Sequence, residues 1–124
     1  MPLRWEILHS EKLIHVVADG EVTLKEMEAY LDALVVANAL AYSKLFDATG
    51  VKPVYDDADM MAMGARMSAY ASHFASGPLA VVGHDEAVVL AFKRFVNISS
   101  SKRPAAIFKT EKKARTWLAA QSGG

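Results

Sequence analysis

Hydrophobic and polar positions along the chain change period several times, and each change marks an element boundary. The runs from Arg4 to His9 and from Leu13 to Ala18 are short and rich in β-formers. Ser10-Glu11-Lys12 separates them, which predicts an antiparallel hairpin whose second arm ends at an Asp19-Gly20 turn. Thr23-Leu24-Lys25-Glu26 has the spacing of a capping box. The threonine hydroxyl can accept from an N–H left free in the first turn, while the glutamate reaches back. Leu24, Met27, Leu31 and Leu34 then recur at helical spacing, so a first helix runs to about Ala39.

Lys44 to Ala48 reads as the next strand, closed by Thr49-Gly50, and Pro53 bars a simple central strand beyond it. Asp56, Asp57 and Asp59 crowd the start of a second helix. Met60, Met63, Met67, Tyr70 and Phe74 form one stripe down it, Asp59, Arg66 and His73 mark a polar side, and Gly77-Pro78 ends it. Leu79-Ala80-Val81-Val82 is an uninterrupted apolar run, the pattern of a strand buried on both faces. Gly83-His84-Asp85 turns into a third helix with Val88, Val89, Phe92, Phe95 and Val96 inward and Lys93 and Arg94 in solvent. A polar loop from Ser99 to Pro104 leads to a last strand, Ala105 to Phe108. Thr110 caps a last helix with Ala114, Trp117 and Leu118 inward and Glu111 and Arg115 paired one turn apart.

The order β-β-α-β-α-β-α-β-α predicts an α/β fold. An N-terminal antiparallel hairpin is followed by βαβ crossovers, giving a five-stranded mixed, mostly parallel sheet with four helices. Residues 1–120 make a single domain and 121–124 a disordered tail. Ligands on such sheets sit beyond the C-terminal ends of the strands, an edge that collects Asp47, Thr49, His84, Asp85, Lys109 and Thr110.

Composition narrows the function classes. The absence of cysteine excludes a disulfide framework, thiolate metal sites and thiol chemistry. Fourteen basic and fourteen acidic residues cancel, so no long-range field steers the chain to a nucleic acid or an anionic membrane. Of the 52% hydrophobic content, 21 residues are alanine, and no stretch approaches the ~18 apolar residues of a membrane span. A cytoplasmic location is expected.

Each chemically suggestive group has a plain structural reading beside it. Asp56, Asp57 and Asp59 suit a basic partner or a cation, but also cap a helix and offset its dipole. His84 beside Asp47 or Asp85 has the makings of a general base, yet either residue can cap helix three. His9, His15, His73 and His84 share no metal-ligand spacing, so neither metal nor cofactor is expected. The methionine stripe (Met60, Met63, Met67) with Phe74 can line an adaptable apolar pocket or serve as ordinary core, and Met27 belongs with it. Met61 lies off the stripe and needs a second surface, such as a homodimer partner, to cover it. The Ser99–Arg103 stretch lacks the glycines of a phosphate loop and reads as a solvated connection. Lys93, Arg94, Lys102 and Arg103 lack the interleaved aromatics of a nucleic-acid surface.

The element order and the segment Leu45-Phe46-Asp47-Ala48-Thr49-Gly50-Val51 resemble the STAS domain, the fold of bacterial anti-anti-sigma factors. Asp47-Ala48-Thr49-Gly50-Val51 looks like that family's Asp-Leu-Ser-Gly-Val, and Asp56-Asp57-Ala58-Asp59 falls where an Asp-Ser-Ser-Gly motif opens a helix. The Lys-Leu-Phe-Asp strand and Gly77 to Val82 are similar to small STAS/SEC14-like bacterial proteins. The resemblance implies a non-catalytic regulatory module that binds a protein partner through Asp47, Thr49, Asp56, Asp57, Asp59, His84 and Asp85. The phosphorylated serine of anti-anti-sigma factors has no counterpart, because Asp57 and Ala58 stand there. A small apolar-ligand carrier and an enzyme built on His84 are the alternatives.

Overall fold

The computed structural model describes residues 3–52, 56–71, 77–98 and 103–122. Strands β1 (Leu3–Leu8) and β2 (Leu13–Glu21) form the antiparallel hairpin, and α1 (Leu24–Val36) leads to β3 (Ser43–Lys52). Then come α2 (Asp57–Ala71), β4 (Leu79–Val82), α3 (Glu86–Ile98), β5 (Ala105–Phe108) and α4 (Glu111–Ser122). The five strands lie side by side in chain order, β1-β2-β3-β4-β5, with every pair after the first parallel. The expected α/β architecture is therefore the observed one.

Alternation along the strands sorts the core into two faces. Ile14, Val16 and Ala18 of β2 meet Tyr30, Leu31 and Leu34 of α1. Ala48, Leu79 and Val81 meet Val88 of α3 on the same side, with Phe46 packed against both groups. On the other side, Leu45, Ala80 and Val82 meet Ala114 and Leu118 of α4. All four residues of β4 are buried, as its apolar run predicts. Helix α2 packs on α3 and α1 rather than on any strand.

Local signals explain most boundaries. The capping box at Thr23 forms in full, with Glu26 N–H donating to Thr23 Oγ1 at 3.2 Å and Thr23 N–H to Glu26 Oε1 at 3.4 Å. Thr110 Oγ1 accepts from Lys113 N–H at 3.3 Å, and Arg115 Nε donates to Glu111 Oε2 at 2.9 Å. Helix α1 stops at Val36, short of Ala39, because Asn38 turns left-handed (φ 56°) and Ala39 N–H folds back onto the Leu34 carbonyl. Gly77 is buried where a side chain would strike the carbonyls of Ala41 and Tyr42, so glycine is required to bring β4 in beside β3.

Four expectations need correction. Asp19-Gly20 is no turn: β2 continues to Glu21, pairing Asp19 with Gly50 and Gly20 with Val51, and Gly20 takes the positive φ of 82° there. Thr49-Gly50 likewise lies inside β3, which gains one residue over β2 between the Val17–Asp47 and Asp19–Gly50 pairs. Val96, expected inward, is 41% exposed because α3 turns its last inward position to Phe95. Helix α4 runs through Ser122, so Gln121 is helical; no breaker precedes Gly123.

Candidate functional site

The strand register places Asp47 level with Val82 and Val82 level with Phe108. His84, Asp85 and Lys109 therefore leave the sheet along one rim, beside Thr49 where β3 runs on past the end of β4. What holds them there is structural. Asp47 Oδ1 accepts from Thr49 N–H at 3.0 Å and from its hydroxyl at 2.7 Å, pinning the extra residue of the bulge. Asp59 N–H donates to Asp56 Oδ1 at 2.8 Å while Asp56 N–H donates to Asp59 Oδ2 at 3.3 Å, a reciprocal cap on α2. Asp85 Oδ1 accepts from Ala87 N–H at 2.8 Å and so caps α3. His84 is exposed, and no hydrogen bond or ion pair among the described residues joins it to Asp47 or Asp85. The side chain of Asp57 lies outside the described residues.

A second set of residues meets on the helical face. A cavity of about 160 Å³ lies between the sheet and helices α1, α2 and α3. Met27 and Leu31 of α1, Met60 and Met63 of α2, and Val88, Phe92 and Phe95 of α3 wall it from above. Phe46, Ala48 and Val81 form its floor. Helix α2 rests on its neighbouring helices, and its methionines line the cavity from above. The Met67 side chain and all of Phe74, expected to join this wall, lie outside the described residues.

Three polar side chains also line the cavity, Tyr30, Lys44 and Arg103. Lys44 is 2% exposed, and its Nζ donates to the Leu40 carbonyl. Burial, reinforced by the charge of Arg103, lowers its ammonium from the ordinary value to about 7. The same desolvation lowers Arg103 and pushes the Tyr30 hydroxyl well above its usual range. Tyr30 is further held edge-on between Trp5 and Phe46, with ring centroids 5.5 and 6.4 Å away. Lys44 opens β3 and Arg103 precedes β5, so both cations stand at the N-terminal ends of the parallel strands, opposite the rim.

Sequence reasoning put Arg103 in a solvated loop and gave Lys44 no role. The signal that bears on Lys44 is its parity: it shares a face with Phe46 and Ala48, two and four residues on, and both of those are core. For Arg103 no local signal exists, because only the β4–β5 pairing brings it over the sheet.

Among the described residues no group of His, Asp and Glu is placed to hold a metal ion, and no helix is long and apolar enough to cross a membrane. Met61 is 63% exposed on α2 and Leu90 53% on α3.

No family model matches the sequence, and no curated protein matches it. Among solved structures, the chain is similar to an uncharacterised DUF3478-family protein of Shewanella loihica described as having a SpoIIAA-like fold. The two share 18% identity over 94% of this chain and 91% of that one, with a TM-score of 0.59. The chain has the SpoIIAA-like fold, the α/β architecture of STAS and anti-anti-sigma domains.

Proposed function

We propose that this domain acts by binding rather than by catalysis, and that it encloses a small, largely apolar molecule beneath α1, α2 and α3. The observation that carries this reading is the cavity. Interiors are close-packed, and an apolar pocket of this size, open to solvent on one side, leaves its lining short of contacts that a guest can supply. An apolar cavity of about 150 Å³ is large enough to take up a molecule of benzene's size. Three methionines in its roof, Met27, Met60 and Met63, supply side chains that adjust to an irregular guest at low cost.

Native mass spectrometry of freshly purified protein, followed by titration with 1-octanol, tests the reading. A co-purified adduct or a saturable octanol complex is expected. A bare 13.5 kDa species that takes up no octanol overturns it.

A second reading, recognition of a protein partner at the rim, is supported by the exposure of Thr49, His84 and Asp85 near the C-terminal ends of β3 and β4 and of Asp56 at the start of α2. Asp57→Lys reverses a charge there. Affinity capture from native extract should lose the partner while the melting temperature stays put, and retention of the same partner would discard this reading.

A further inference from the structure

We infer that Lys44 is a covalent anchor: its side-chain amine condenses with a small apolar aldehyde taken up by the cavity, forming an imine. This rests on the cavity being a binding site and names the chemical class of its guest. Lys44 lines the cavity, and so does Leu40, whose carbonyl accepts from Lys44 Nζ, so the amine stands at the cavity wall. The other lysines among the described residues are exposed, whereas Lys44 is buried.

These surroundings favour the free amine, the form that attacks a carbonyl. An ammonium presents three donors, and among the described residues Lys44 finds one acceptor, the Leu40 carbonyl. No carboxylate among those residues forms an ion pair with it, and a buried charge left without a counter-charge gives up its proton. Of the other polar groups in the lining, Tyr30 stays a neutral phenol, and Arg103, half-buried and with a partner of its own, adds only a like charge. Burial first and that charge second bring the amine down to about 7, so near neutral pH much of it carries a lone pair. Desolvation of this kind is how a lysine becomes a nucleophile toward carbonyl compounds.

The step balances without a co-reactant. The lone pair adds to the carbonyl carbon, a C–N bond forms, and the carbonyl oxygen leaves as water with the two protons that the nitrogen gives up. Leu40 is not stranded when Nζ lets go, because its carbonyl also accepts from Gly77 N–H at 2.9 Å. Apolar walls then keep water from the imine. The volume limits the aldehyde to about six to eight carbons, judged from the benzene-sized guests of comparable cavities.

Incubation of the full chain with equimolar hexanal near neutral pH, followed by borohydride reduction and peptide mapping by mass spectrometry, tests the inference. One hexyl group is expected, on Lys44 about tenfold or more over any other lysine, because a lysine in water is almost wholly protonated at that pH. Excess 1-octanol should suppress the label, and Lys44→Met should lose it while still binding octanol. Should that variant not fold, the position of the label in the native chain still decides. A label spread over the surface lysines, no label, or one that octanol leaves untouched, in a chain that binds octanol, overturns the aldehyde assignment and leaves the cavity reading standing. A chain that takes up neither hexanal nor octanol removes both.

Discussion

The two faces of the sheet are made from alternate residues of the same strands, yet one is covered by a single helix packed directly on the strands and the other holds an apolar cavity beneath three helices. Leu45, Ala80 and Val82 press directly on Ala114 and Leu118 of α4, and Phe108 and Trp117 close that layer with ring centroids 5.7 Å apart. One residue before Leu45, Lys44 turns the other way, into a cavity roofed by α1, α2 and α3, with α2 packed on its neighbouring helices. The α4 face is built for stability. The face beneath α1 to α3 keeps a cavity and the buried ammonium of Lys44, a local departure from packing rules of the kind that accompanies function.

Truncating the α4 face gives the largest effect expected. Leu45→Ala removes a fully buried side chain from beneath α4, at a cost of about 2–5 kcal/mol in chemical denaturation. A loss under 1 kcal/mol would show that the faces are packed alike.

Next comes the pH response of the face that holds the cavity. Lys44 titrates near 7 when folded and at its ordinary 10.5 when unfolded, so between these values the unfolded chain binds more protons. Stability therefore rises with pH across that window, by at most about 1.4 kcal/mol per unit, and loses that gain as pH falls back toward 7. Denaturation at about pH 7.5 and about pH 9.5 should show the gain in the native chain and its absence in Lys44→Met. Identical slopes in the two would mean that the lysine is solvated.

Smaller again is Met63→Ala, expected to cost about 2 kcal/mol, the low end for such truncations, because one side of the methionine already faces empty space. The same variant enlarges the cavity and should shift octanol affinity, whereas Leu45→Ala should not. The smallest effect belongs to the surface of α4. Removing the Glu111–Arg115 pair with Arg115→Ala should change stability by about 0.3–0.5 kcal/mol, since the pair is half-exposed and local.

The α4 face was legible in the sequence, and of the cavity only its methionine roof was; its polar lining was not. The apolar run Leu79 to Val82, the stripe Ala114, Trp117, Leu118 and the caps at Thr23 and Thr110 are local patterns with local causes. Asp19-Gly20 misled because a glycine with positive φ serves a bulged strand as well as a turn, and only its pairing with Gly50 and Val51 decides between them. The acids that the sequence offers to a partner, Asp47, Asp56, Asp59 and Asp85, spend a carboxylate oxygen each on backbone N–H groups. Lys44 and Arg103 lie 59 positions apart in the chain and meet only through the sheet, so no window of sequence contains both.

Because the strands follow one another in space as they do along the chain, a polypeptide emerging N-terminus first from the ribosome can lay each strand against the one just made. The helices between strands shelter only one side of that growing surface. Leu45, Ala80 and Val82 stay bare until residues 111–122 arrive to cover them, so completion of the fold waits on the last helix of the nine elements to be synthesised.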